Sequence, residues 1–191
     1  MLKMLICQLV WQVSAKLLTN MEKEKLFNFK GTVKITKRKM PRWTIILEKL
    51  GLWKLALKFG KIVSIKKYNN LFCNVGRQSI LDRMTGLDKG QITYLALGSS
   101  TVAPAITDVQ LGTETFRKLI TTRTRNVLVF ESSTYIAIAE AVGTHKEIGL
   151  FGDDASATTN SGTLFTHLSI DETKTNTESI TIDYNIEALT T

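Results

Sequence analysis

The stretch Glu178–Leu189, ESITIDYNIEAL, places Ile180, Ile182, Tyr184 and Ile186 on one side of an extended chain and Thr181, Asp183, Asn185 and Glu187 on the other. That two-residue period is the mark of a strand with one face in a core. Working backwards, TLFTHLSI (163–170), HKEIGLFG (145–152), TYIAIAEAV (134–142), NVLVFESS (126–133), LITTRTRN (119–126) and QITYLALGSS (91–100) are six more short strand-like runs. Clusters of Ser, Thr, Asn, Asp and Gly separate them, as turns do. In EIGLFG, Ile148 and Leu150 point one way, while Gly149 and Gly152 permit close backbone approach or a turn. Strands of this length and spacing predict a mainly β protein, an antiparallel β-sandwich of jelly-roll or Ig-like type with a few helices.

The first ninety residues carry the helices. GTVKITK (31–37) and KIVSIKK (61–67) have strand character, and PRWTIILEKLGLWKLALKFG (41–60) lies between them. Pro41 can open a helix and Gly60 can close it, which predicts an inserted amphipathic helix near 42–58, with Gly51 weakening its middle. Thr44, Glu48, Lys54 and Lys58 form its polar stripe. The wide apolar arc of Trp43, Ile46, Leu47, Leu50, Trp53 and Leu57 favours burial against protein over lying on a membrane. A second helix is expected from about Val75 to Met84, ended by Gly86. TVAPAITDVQLGTETFRK (101–118) reads as a loop and a helical turn, capped by Asp108, with Glu114 and Lys118 one turn apart.

Two parts are expected: an N-terminal helical extension over 1–28, and one β-sandwich domain over 29–191 with its helical insertion at about 41–59. MLKMLICQLVWQVSAK (1–16) reads as a short amphipathic helix, or as residues ahead of a start at Met21. Gln8 and Gln12 break the apolar run that a cleavable signal needs. No stretch reaches the ~18 uninterrupted apolar residues of a membrane span. With 43% hydrophobic residues the chain can fill an ordinary core. Cys7 and Cys73 are too few for a disulfide framework and lack metal-site spacing. A reducing compartment is the simplest setting, with one long-range disulfide left open.

Charge divides the chain. Residues 1–90 hold 19 Lys and Arg against 5 Asp and Glu, whereas residues 91–191 hold 6 against 12. The basic half then faces nucleic acid, an anionic surface or an acidic protein, or else the acidic half of a neighbouring copy. KITKRKMPRW (34–43) concentrates Lys34, Lys37, Arg38, Lys39 and Arg42, with Lys34 and Lys37 read as outward strand residues. These five, with Trp43 and Trp53, are the candidate assembly or phosphate contacts.

Catalytic chemistry has little to work with. His145 and His167 lie in no HExxH, and no GxSxG, phosphate-binding loop or GxGxxG is present. His167 alternates with Phe165 and Ser169 and reads as an ordinary strand histidine. Asp153 and Asp154 head the oxygen-rich GDDASATTNSG (152–162), but its spacing does not match a calcium loop. They are read as an exposed contact loop. No catalytic, cofactor or metal residue is assigned.

The order of the pieces carries a resemblance. YNNLFCNVGRQSILDRM (68–84), ITYLALGSSTVAPAITDVQLGTETFRK (92–118), TTRTRN (121–126), HKEIGLFG, NSGTLFTHLSI (160–170) and TKTNTESITIDYNI (173–186) follow one another as in small structural proteins of tailed-phage virions. The chain resembles that group from about residue 61 to 190. Its motif positions are Asn70 to Gly76, Ala96 to Glu114, Glu147 to Phe151 and Ser161 to Leu164. The helix near 42–58 and residues 1–25 fall outside the pattern. The resemblance implies a non-enzymatic tail, baseplate, neck or fibre component that acts in the virion after synthesis in the host cytoplasm. Its partners would be copies of itself and other virion proteins. A nucleic-acid-binding module using the basic half is the alternative.

Overall fold

The computed structural model describes residues 28–189. The N-terminal extension expected over 1–28 therefore lies, apart from Asn28, outside the described residues. Nine strands form the frame: β1 (Asn28–Lys39), β2 (Lys61–Phe72), β3 (Ile92–Gly98), β4 (Glu114–Leu119), β5 (Thr122–Asn126), β6 (Val129–Ile136), β7 (Gly143–Gly152), β8 (Thr163–Lys174) and β9 (Glu178–Leu189). Three helices accompany them: α1 (Thr44–Lys49), α2 (Trp53–Phe59) and α3 (Asn74–Met84).

The strands make one antiparallel sheet in the order β4-β3-β7-β8-β2-β1-β9-β6-β5, curled into a half-barrel. Connectivity forces the curl. The two edge strands, β4 and β5, are consecutive in the chain with only Ile120 and Thr121 between them. That link spans roughly 10 Å at most, so the opposite edges meet at one corner. Arg123 of β5 donates to Ile92 O of β3 at 2.8 Å across that corner.

The half-barrel is held together unevenly along its length. β2 pairs with β1 from Gly31↔Asn70 to Lys39↔Lys61, yet meets β8 only at Leu71↔His167 and Phe72↔Thr166. Side chains close the remaining gap. Buried Glu172 on β8 takes Lys37 at 3.0 Å and Lys66 at 2.9 Å. Burial pushes the Glu172 carboxyl up, but the hydrogen bonds and charges of Lys66 and Lys37 outweigh it and hold the group below its ordinary value.

The alternation in the last strand is realised: Ile180, Ile182, Tyr184 and Ile186 are all buried. They face Val33 and Ile35 of β1, with Leu95, Leu97, Ile148 and Leu150 from the other half of the sheet completing one core. The two halves of one curled sheet thus stand where two separate sheets were expected. The outer face of β3, β7 and β8 carries a second, smaller core of Ala96, Leu111, Phe151 and Leu164 with Cys73.

Several local expectations are corrected. The insertion is two short helices, because Gly51 at φ +75° leaves the helical region and turns the chain back. The helical turn expected near 108–118 is an irregular loop followed by β4, so Glu114 and Lys118 are strand residues. NVLVFESS and TYIAIAEAV contribute one strand, β6, and a turn. In β8, Phe165 is a bulged residue between Leu164↔Phe151 and Thr166↔Leu150. The bulge sends Phe165 into the inner core and leaves His167 on the outer face. Ile62, Val63 and Ile65 of β2 are exposed, because the sheet meets no covering layer there.

Candidate assembly surface

Three of the four motif stretches, Ala96 to Glu114, Glu147 to Phe151 and Ser161 to Leu164, meet on β3, β4, β7 and β8 and place part of their residues on the outer face. Glu147 on β7 is fully buried. Its carboxylate accepts backbone N–H bonds from Ser100 (3.2 Å), Gly112 (2.9 Å) and Thr113 (2.7 Å), which pin both ends of loop 99–113. His167, on the adjacent strand, contacts Glu147 Oε2 through Nε2 at 3.0 Å and Asp108 Oδ2 through Nδ1 at 2.7 Å. Asp108 Oδ2 also accepts the Ala105 N–H at 2.7 Å. One carboxylate–imidazole–carboxylate bridge thereby fastens the middle of the loop.

That arrangement holds the loop to the sheet. Both ring nitrogens are partnered by carboxylate oxygens, and each carboxylate also holds backbone N–H groups of the loop. Gly149 explains the fit beneath: a Cβ there would lie 2.8 Å from Thr166 O and 3.1 Å from Leu111. The small residue lets Leu111 seat the loop on the sheet.

A second clasp fixes loop 153–162. Arg117 and Glu114 on β4 form a buried pair, Nε to Oε1 at 2.7 Å and an NH2 nitrogen to Oε2 at 2.8 Å. The guanidinium lies 4.2 Å from the Phe151 ring centre and donates to Ser161 O at 2.8 Å and Ser156 O at 3.2 Å. Glu114 Oε2 accepts the Asn160 N–H at 2.9 Å. A forked, planar cation suits this role because it satisfies a carboxylate and two carbonyls while stacking on a ring.

The sequence reading took Asp153 and Asp154 as an exposed pair. Only Asp154 is, at 79% side-chain exposure. Asp153 accepts from Ser79 Oγ and from Gly90 N–H, both at 2.7 Å, joining α3 to the end of β7. Among the described residues no group of three or more His, Cys, Asp and Glu gathers as a metal site. Loop 99–113 carries three exposed apolar side chains among polar ones: Val102 is 73% exposed, and Ile106 and Val109 also face outward.

The basic candidates are scattered. Lys34 faces Asp183 at 4.0 Å on the outer surface, whereas Lys37 donates to Thr173 O at 2.6 Å and pairs with Glu172 within the gap. Three residues apart on a strand, they lie on opposite faces, which corrects the reading of both as outward. A bulge between Lys37 and Arg38 then brings Arg38 toward Thr181 Oγ1 at 3.5 Å. Lys39 and Arg42 remain exposed. Trp43 is exposed, in edge contact with Phe59 at 4.7 Å, while Trp53 is stacked on Tyr135 at 5.1 Å.

Sequence reasoning missed the roles of Glu147, His167, Asp108, Glu114 and Arg117. The signal available was that each falls inside or beside a motif of the resemblance. Neither a family model, nor a curated protein, nor a solved structure matches this chain.

Proposed function

We propose that this protein is a non-enzymatic structural component of a tailed-phage virion, docking on copies of itself or on other virion proteins. The observation that supports the reading is the convergence of the motif residues on two pinned loops. Buried carboxylates hold a dozen or so residues of irregular chain in one shape, with Val102, Ile106 and Val109 turned outward. Conformational entropy opposes docking of a loose loop, and fixing the loop beforehand removes that cost. Under this reading the curled sheet is a sandwich-like platform for that face, and the site of action is the assembled particle.

The test is light scattering on a sizing column at low and high salt, with absorbance at 260 and 280 nm recorded together. The reading expects a discrete, nucleic-acid-free oligomer that Val102→Glu with Val109→Glu shifts toward monomer without loss of thermal stability. A monomer that carries nucleic acid at low salt and sheds it at high salt favours the basic half as a phosphate-binding surface instead.

A further inference from the structure

The helical insertion is a separate device, at the opposite end of β2 from the pinned loops. Ten residues of strand, roughly 33 Å, separate Lys61 from Leu71. Its inner side is anchored. Glu48 accepts from Tyr135 OH and from Ile138 N–H, Trp53 stacks on Tyr135, and Ala56 packs with Met40 and Ile138.

The outer side is an apolar ridge. Trp43, Ile46 and Leu50 line α1, and Leu52, Leu55 and Phe59 line α2, each set at the spacing i, i+3, i+7 of one helical face. All six are exposed, Ile46 and Leu50 by about two thirds (63% and 66%). The stripes join at Trp43–Phe59, and the reversal Leu50-Gly51-Leu52 forms the tip.

The charge around this ridge is of one sign. Lys39, Arg42, Lys49, Lys54, Lys58 and Lys61 are exposed, and Glu48, the sole acidic residue from 39 to 61, is turned inward. The partner must therefore be anionic. A second copy is the weaker match, because five of the twelve carboxylates of the acidic half (Asp108, Glu114, Glu147, Asp153 and Glu172) are committed inside the fold.

We propose that the insertion is an interfacial anchor for an anionic lipid bilayer. The ridge enters the headgroup region at its Leu50-Gly51-Leu52 tip, while the lysines snorkel toward lipid phosphates. A convex tip needs no matching hollow in a fluid bilayer, whereas a protein partner must provide one. The indole of Trp43 sits at the base of the ridge, the depth that amphipathic rings occupy at a membrane surface.

The test uses the full chain and vesicles of phosphatidylcholine with roughly 30% phosphatidylglycerol, against pure phosphatidylcholine vesicles. Co-sedimentation is expected to be at least about tenfold stronger on the anionic vesicles and to weaken with salt. Leu50→Glu with Leu52→Glu should reduce it at least about tenfold while thermal unfolding stays unchanged, since both side chains are exposed. Brominated lipid should quench wild-type emission and quench Trp43→Phe less, which separates Trp43 from Trp11 and Trp53. Equal binding to both vesicle types, full binding by the Leu50/Leu52 variant, or no binding overturns the proposal. A fall in oligomer mass in that variant, without any vesicle binding by wild type, assigns the ridge to a protein partner. None of these outcomes bears on the pinned-loop reading, which is tested at Val102 and Val109.

Discussion

Lys174 shows how far the fold uses ionisable groups as fasteners. Its side chain is almost completely buried at the base of the helical insertion, donating to Ile138 O at 2.7 Å. Burial pushes its pKa down to about 8, against the attraction of Glu48, Glu140 and Glu178. The unfolded chain holds that proton to about 10.4, so between about pH 8 and 10.4 the unfolded state binds more protons and stability rises with pH. Below about pH 8 both states are protonated and the fold carries the cost of a buried charge. Burial also pushes the Cys73 thiol up to about 12, which works in the opposite direction above about pH 9. A Lys174→Met variant shares that contribution and lacks only the lysine's. Denaturant unfolding at about pH 7 and about pH 10 should therefore show wild type gaining on Lys174→Met by about 2 kcal/mol. No change in the difference would mean that the lysine escapes to water.

The same scale decides Arg117. Replacing it with Gln leaves Glu114 buried without its cation and frees Ser156 and Ser161 carbonyls. A loss of about 3 kcal/mol is expected, with faster hydrogen exchange confined to residues 153–162. From the sequence, Arg117 was one cation in an expected helical turn. Its ion-pair partner Glu114 is local, but nothing local announced that β4 would bring it over Phe151 and beneath loop 153–162, because those contacts depend on the packing of segments distant in the chain.

At the scale of elements, legibility tracked how local the determining physics is. α3 was expected from Val75 to Met84 and runs Asn74–Met84, since its propensity and its Gly86 stop lie within its own residues. β9 was equally plain from alternation. The insertion was read as one helix because Gly51 costs only about 1 kcal/mol in a helix interior, too little to predict a break. Gly51 permits the reversal at φ +75°, and the anchoring of Glu48 and Trp53 to β6 holds the chain folded back over Tyr135. Two glycines separate strain from packing. Gly51→Ala, with open space but φ +75°, should cost about 1 kcal/mol and loosen only the insertion. Gly149→Ala, which drives a Cβ against Thr166 O and Leu111, should cost more, about 1–3 kcal/mol, and disturb loop 99–113. Thermal unfolding with limited proteolysis distinguishes the two.

For the whole molecule, the sequence carried the β character and the antiparallel order of short strands. It did not carry the curl, because that follows from which strands become edges, a property of pairing across the chain. The charge division was visible but meant something else. Five of its twelve carboxylates are consumed in pinning loops, joining α3 to β7 and bridging the β2–β8 gap, which thins the acidic surface left for a basic neighbour. The basic excess therefore stays outward, concentrated around the insertion. Under the two proposals, separate ends of β2 serve separate tasks: pinned loops for subunit contact, a cationic apolar ridge for an anionic surface.

Hydrogen exchange followed by mass spectrometry, across a protein concentration series, tests the central claim most directly. The account predicts slow exchange at the Ser100, Gly112 and Thr113 amides even in the monomer, because Glu147 holds them. Further protection should appear across residues 101–110 as copies associate. Fast exchange throughout 99–113 at every concentration, or protection gained only outside it, would contradict the claim that these loops are a preformed assembly face.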